Sequence, residues 1–236
     1  MPKIKSTHPA VKDKRTIFVN SIIPPDFNML KPGSNNSKLG YKITKGKFKD
    51  FPLYSLTLEE RKTCPTDCKF FVTCYANNLY LAQRYDHTDS NFYKILKYNV
   101  EILSLKHSKG FVVRLHIAGD FFSVKYINFW RRMLNSYPAL NIFGYTAYKT
   151  GPRHRDIKKL NDDYYNRCFI RFSSGDSYYS THSTLDYKPT NFTQNGKKKL
   201  HKGIVCPEQL GKTKDCASCG LLCANKNVGP ILFIPH

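Results

Sequence analysis

The chain has 236 residues, 41% hydrophobic and 14% aromatic, enough to bury a core and incompatible with global disorder. Lys and Arg number 38 against 17 Asp and Glu, a formal net charge of +21. That excess points to a polyanionic partner, nucleic acid ahead of an acidic membrane surface. The opening MPKIKSTHPAVKDKRTIFVN is basic but has no apolar signal-peptide core. No run approaches the roughly 18 apolar residues of a membrane span, so a cytoplasmic protein with no membrane association is expected.

Composition divides the chain into a basic extended arm (1–50), an α/β core (51–202) and a Cys-rich module packed on it (203–236). In the core, Thr57 is placed to cap a short helix through Glu59 and Glu60, ending at Thr63-Cys64-Pro65. Apolar residues at three-to-four spacing predict helices over 75–85 and 90–107, the second burying Phe92, Ile95, Leu96, Val100, Leu103 and Leu105. FVVRLHIA (111–118) is a strand and 123–138 a helix capped by Ser123 and stopped by Pro138. A strand over 140–148, a helix over 153–165 and a strand over 168–174 follow. This alternation predicts right-handed βαβ units, a partial-barrel-like parallel sheet with flanking helices. Chemistry in such sheets gathers at the carboxyl ends of the strands: here His116–Asp120, Tyr145–Tyr148 and Ser173–Asp176. The apolar ILFI (231–234) reads as a further strand.

Eight cysteines with no secretory signal favour metal or cluster ligation over disulfides. Cys206, Cys216, Cys219 and Cys223 are spaced C-x9-C-x2-C-x3-C, four thiols that can converge on one tetrahedral ion or one cubane cluster. Cys64, Cys68 and Cys74, spaced C-x3-C-x5-C, leave a fourth coordination position open, the usual arrangement for chemistry. Zinc and iron–sulfur both remain open, and so does whether there are one or two centres. Cys168, at the start of a strand, reads as a core residue.

The first trio is similar to the cluster loop of radical S-adenosylmethionine enzymes, although its third cysteine stands three residues further on than their usual C-x3-C-x2-C. Several stretches together resemble the phage-encoded gene 88 protein family: GSNNSKLGYK (33–42), TCPTDCKFFVTCYA (63–76), RLHIAGDFFSVKYINFW (114–130), FGYTAYK (143–149) and CPEQLGKTKDCASCGLLC (206–223). That resemblance implies a cysteine-bound metal centre and brings no settled activity. The radical-enzyme likeness implies a [4Fe–4S] cluster on Cys64, Cys68 and Cys74 that binds S-adenosylmethionine. Gly119, Asp120 and Tyr75 would then line the cofactor, and the tail cysteines would hold a second cluster or zinc.

Alternation along the strand places Arg114 and His116 on one face with Asp120 following, a trio suited to proton handling or substrate holding. Asp176, after the next-but-one strand, is a second acid. Phosphate contacts are expected from Lys197, Lys198, Lys199 and Lys202 and from Arg153 and Arg155, through backbone and shape rather than sequence. With the two resemblances, these features lead to the expectation of a phage-type iron–sulfur protein, a radical-SAM-like enzyme acting on nucleic acid or a nucleotide-derived substrate. One alternative is a barrel enzyme that modifies or exchanges a nucleobase through an Asp nucleophile or base. The other is a non-enzymatic, metal-stapled basic nucleic-acid-binding protein.

Overall fold

The computed structural model describes residues 4–68, 70–173, 180–183 and 204–233. In chain order its elements are α1 (Pro9–Lys12), β1 (Ile22–Ile23), β2 (Lys31–Pro32), β3 (Leu53–Leu56), β4 (Arg84–Tyr85), α2 (Phe92–Lys106) and β5 (Phe111–Leu115). Then come α3 (Val124–Ser136), β6 (Leu140–Thr146), α4 (Gly151–Asp163), β7 (Cys168–Ser173), β8 (Ser180–Ser183), β9 (Ile204–Val205) and β10 (Ile231–Phe233). Local signals fix the α/β alternation. Ser123 caps α3, its hydroxyl accepting from Tyr126 N at 3.1 Å. Gly144 has no room for a side chain, since a Cβ there would strike the Leu115 carbonyl on the neighbouring strand.

The strands form an open sheet in the order β2-β3-β5-β6-β7-β8-β10-β9, with β2 antiparallel and all other neighbours parallel. β1 and β4 make a separate parallel pair. From β3 to β8 the large sheet gains strands in chain order, omitting only β4. The helices between them all cover one face: Phe92, Leu96 and Val100 of α2, Tyr126, Ile127, Trp130 and Leu134 of α3, and Ile157 and Leu160 of α4 share a single core there. Each such side chain contributes roughly 1.5–3 kcal/mol by leaving water. This is the winding of a barrel that does not close. The opposite face, which a closed barrel would fill with its own side chains, is plugged by the arm and the Cys-rich module. Leu39, Ile43, Phe48, Ala217, Leu221 and Ala224 pack there on Leu53, Val112, Phe143 and Phe169.

The region 57–85 departs from expectation. No helix follows Thr57: the chain turns at 60–62, and Arg61 adopts a left-handed φ of 64°. Glu59 and Glu60 are buried, with tertiary partners rather than a solvated helical turn. Thr16 N donates to Glu59 Oε1 at 3.0 Å, and Arg84 Nε donates to Glu60 Oε2 at 2.6 Å. The stretch 75–85 is likewise not a helix but a 3-10 turn, Tyr75–Asn78, followed by β4, and its apolar Leu81 is 83% exposed. On α2, Leu105 is also exposed while Asn99 is buried in the stripe, its amide donating to Ile95 O and Asp26 O.

Candidate metal centre

The first cysteine trio sits on a loop at the carboxyl edge of the sheet. Its turns are closed by short backbone bonds from Cys68 N to Pro65 O, Phe71 N to Cys68 O and Asn77 N to Cys74 O. Arg61 holds this loop from within: its Nε donates to Phe71 O at 2.9 Å, Nη1 to Arg15 O at 3.2 Å, and Nη2 to Asn77 Oδ1. Beside Cys64, the Thr63 hydroxyl donates to Glu59 O at 2.7 Å and accepts from Asp120 N at 3.0 Å. Tyr148 OH donates to Thr63 O. One threonine thus ties the cysteine loop to the ends of β5 and β6.

Asp120 is buried where those two strands end. Its Oδ1 accepts from Phe121 N and its Oδ2 from Ala147 N, each at 2.7 Å. Burial pushes this carboxyl up to about 6 against the pull of those donors, of Thr146 and of Arg153. The thiols of the trio are raised too. For Cys64 the causes are burial and then the facing Asp120, Cys74 and Cys68. Burial dominates for Cys68 as well, and it carries Cys74 to about 12. The three thiols and the carboxyl therefore share one electrostatic neighbourhood. Gly119 makes the approach possible at φ 89°, where a Cβ would sit 2.6 Å from Thr63 Oγ1.

Arg114 and His116 do not share a face. β5 ends at Leu115, and His116 takes a φ of 45° that turns its ring into the helix side against Phe121, with Nε2 3.0 Å from Tyr126 OH. Burial, helped by Arg114, pushes its pKa down to about 3, so it is a neutral hydrogen-bonding group at working pH. Arg114 lies on the opposite face, its guanidinium 5.1 Å from the Tyr145 ring and 5.8 Å from that of Phe143. Its Nε is buried without an acceptor. Around this cation stand Tyr145, Tyr75, Cys216 and Cys223, so it lies between the two cysteine groups.

The second group is built on a one-turn helix, Cys216–Cys219. Asp215 and Ser218 cap it reciprocally, and Gly220 and Leu221 reverse the chain at left-handed φ. Cys216 N donates to Lys38 O, Ala217 N to Leu39 O, and Thr44 N to Ala217 O, so the turn is stitched to the arm. The Cys206, Cys216 and Cys223 thiols are raised by burial and by their mutual proximity, Cys216 to about 12. The Tyr145 hydroxyl is directed at Cys223. Sequence reasoning missed Arg171. It is buried and donates from three nitrogens to Cys223 O, Asn225 O, Val228 O and Gly229 O at 2.7–3.1 Å. An arginine inside an apolar strand is the one signal that pointed to it.

Among the described residues no three His, Cys, Asp or Glu side chains stand in metal-holding geometry. The thiols of each group are right in chemistry for a thiophilic ion, but in neither group are three of them drawn together as a metal cage. Cys168 is a buried core thiol, donating to Asn161 Oδ1 at 3.2 Å. Arg153 lies over the Tyr148 ring and donates to its hydroxyl, whereas Arg155 is exposed. Asp176, Lys197, Lys198, Lys199 and Lys202 fall outside the described residues. Among those described, no helix is long and apolar enough to cross a membrane.

A family model described as "Gene product 88" matches residues 29–225, a span holding both cysteine groups and the strands between them. The chain belongs to the gene product 88 family. A relative in Mycobacterium phage D29, "Gene 88 protein", is 28% identical over 127 residues, covering 48% of this chain and 50% of the relative. The match thus spans about half the length of that curated gene 88 protein. No solved structure matches this gene product 88 chain.

Proposed function

We propose that this gene product 88 protein is a thiolate-ligated metal enzyme working at the carboxyl edge of its sheet on nucleic acid or a nucleotide-derived substrate. The observation that carries this reading is the hydrogen bond from Asp120 N to the Thr63 hydroxyl beside Cys64, which seats the buried Asp120 carboxyl at the cysteine loop, within electrostatic reach of Cys64 and Cys68. Three thiolates would hold a four-iron cluster with one position open, and such a cluster supplies electrons to a bound S-adenosylmethionine. The chain's own residues would then shape the site. Asp120 and Gly119 present a carboxyl and bare backbone toward the cysteine loop, the partly exposed Tyr75 stands beside Cys74 on the side of Arg114, and Tyr148 with Arg153 forms its far wall. Hydrogen bonds from two backbone amides fix the Asp120 carboxyl, which would serve as the acceptor for a cationic group of the substrate or cofactor.

The test is iron, sulfide and zinc analysis with electron paramagnetic resonance on anaerobically purified protein, followed by an assay of S-adenosylmethionine cleavage after reduction. Iron and sulfide near four each per chain or more, and cleavage lost in Cys64→Ala, support the reading. A colourless protein with stoichiometric zinc, or cleavage that survives Cys64→Ala, overturns it.

A second reading has its own observation. Because the Cys216–Cys219 turn is stitched to the Lys38–Thr44 backbone, the tail centre joins distant parts of the chain, as a structural zinc does. In that reading the whole protein is a metal-stapled nucleic-acid binder, and Asp120→Asn would leave its biological activity intact.

A further inference from the structure

A cavity of about 370 Å³ opens where the arm, the start of β7 and the Cys-rich module meet, on the side from which β7 begins rather than ends. It is therefore not the carboxyl-edge site. Its wall carries three lysines, Lys45, Lys47 and Lys226, and no Asp or Glu. Two of the ammonium groups are anchored. Lys47 Nζ donates to Asn166 O at 2.7 Å and lies 5.3 Å from the Phe169 ring. Lys226 Nζ donates to Asn161 O at 2.7 Å and sits 4.0 Å from the Tyr165 ring centre. Tyr165 is about half exposed (52%) although it packs on that lysine. The floor is apolar, with Phe48 and Phe169 edge to face at 5.8 Å, and Asn166, Asn225 and Asn227 are also among the lining residues.

Lys226 has Asp162 nearby, but Lys45 and Lys47, with no carboxylate in the lining, call for an anion, while an exposed ring over an apolar floor calls for a flat apolar surface. Side-chain amides offer donors and acceptors to a heteroatom edge. One ligand class combines all three. We propose that this cavity seats one nucleotide residue, with its base on Tyr165 and its phosphate toward Lys45 and Lys47. The volume lies in the range of small-molecule sites, and stacking with lysine contacts is the mode of sequence-tolerant single-strand binding. A free mononucleotide and one unit of a single strand share this chemistry. The inference rests on the nucleic-acid half of the proposed function and not on the Cys64, Cys68 and Cys74 centre, although Cys219 of the tail group also lines this cavity.

The experiment titrates the full-length protein, as purified with its metal, into a fluorescently labelled 12-nucleotide single strand, in parallel with calorimetry using adenosine monophosphate, ribose 5-phosphate and inorganic phosphate. Tyr165→Ala should weaken strand binding about tenfold or more, in keeping with loss of one stacked base, while Tyr165→Phe retains it. Lys45→Glu should weaken binding and lower the salt slope. Lys158→Glu, an exposed change on α4, serves as the control for net charge. Adenosine monophosphate competing with the strand in a Tyr165-dependent manner marks the cavity as open to free nucleotides; competition by the strand alone restricts it to polymer. Equal binding by Tyr165→Ala, Lys45→Glu and the parent overturns the inference while leaving nucleic-acid action in place. Failure of the parent to bind any strand or nucleotide overturns both, and metal and sulfide analysis still decides the metal half on its own.

Discussion

At the scale of single residues, His116 shows how backbone geometry assigns a role that residue type alone does not. A histidine at the end of a strand, two residues from an arginine, invites an acid–base interpretation. Its left-handed φ instead turns the ring into the helix-side core, where burial holds it neutral down to about pH 3. Unfolded, the same imidazole takes up a proton near pH 6.5. Between those values the unfolded chain binds more protons than the folded one, so stability rises with pH and is lost as acid is added, by about 1.4 kcal/mol per pH unit. Asp120 acts in the opposite direction: held up to about 6, it favours the folded state as pH falls from about 6 toward 4. Urea unfolding of the parent and His116→Gln from pH 7 to pH 4 separates the two. The variant should lose the acid-side decline attributable to His116, and parallel curves would show that the ring ionises freely in the fold.

At the scale of elements, legibility follows the range of the interactions. From Phe111 to Ser173 each strand and helix is specified by its own period and caps, so the boundaries match expectation to within a few residues. The stretch from Thr57 to Tyr85 is different, because its polar residues are satisfied by partners far along the chain. Glu60 meets Arg84, Thr16 and Arg61, and nothing in local spacing announces it. The cysteine spacings were visible, and so was the GD turn, but not the threonine that joins them. Nor was the Arg171 fan that fastens the module visible, since one arginine among apolar strand residues does not name its acceptors. Glu60→Gln should be costly, about 3–5 kcal/mol, because it leaves the buried Arg84 guanidinium without its charge partner. Thermal and denaturant unfolding measure it, and a change below about 1 kcal/mol would mean that the pair is solvated in practice.

At the scale of the molecule, the face opposite the helices is closed by two pieces of chain from opposite ends of the sequence, and they hold each other. The Cys216–Cys219 turn bonds to Lys38, Leu39 and Thr44, while Leu39 and Ile43 pack with Ala217 and Leu221 on the sheet. A metal bound by the tail cysteines would therefore stabilise the arm without touching it. Chelator treatment should raise amide hydrogen exchange at 38–44 together with 215–224, leaving α3 and β6 protected. Exchange confined to the module alone would show that the two pieces are energetically separate.

The placement of β10 carries a consequence for biosynthesis. This strand lies between β8 and β9, both of which precede it in the chain, and pairs with each in parallel. Among the described residues β9 has no other neighbour in the sheet, so it has no described partner strand until Ile231–Phe233 have left the ribosome. Cys206, which directly follows β9 and whose amide bonds to Leu232 O, waits with it. A nascent chain stalled before Ile231 would carry its helix-side core folded and its β9 and Cys206 unseated. Any metal bound by the tail cysteines would then be loaded only after translation has passed β10, and protease protection of stalled chains of increasing length would register the seating of the module.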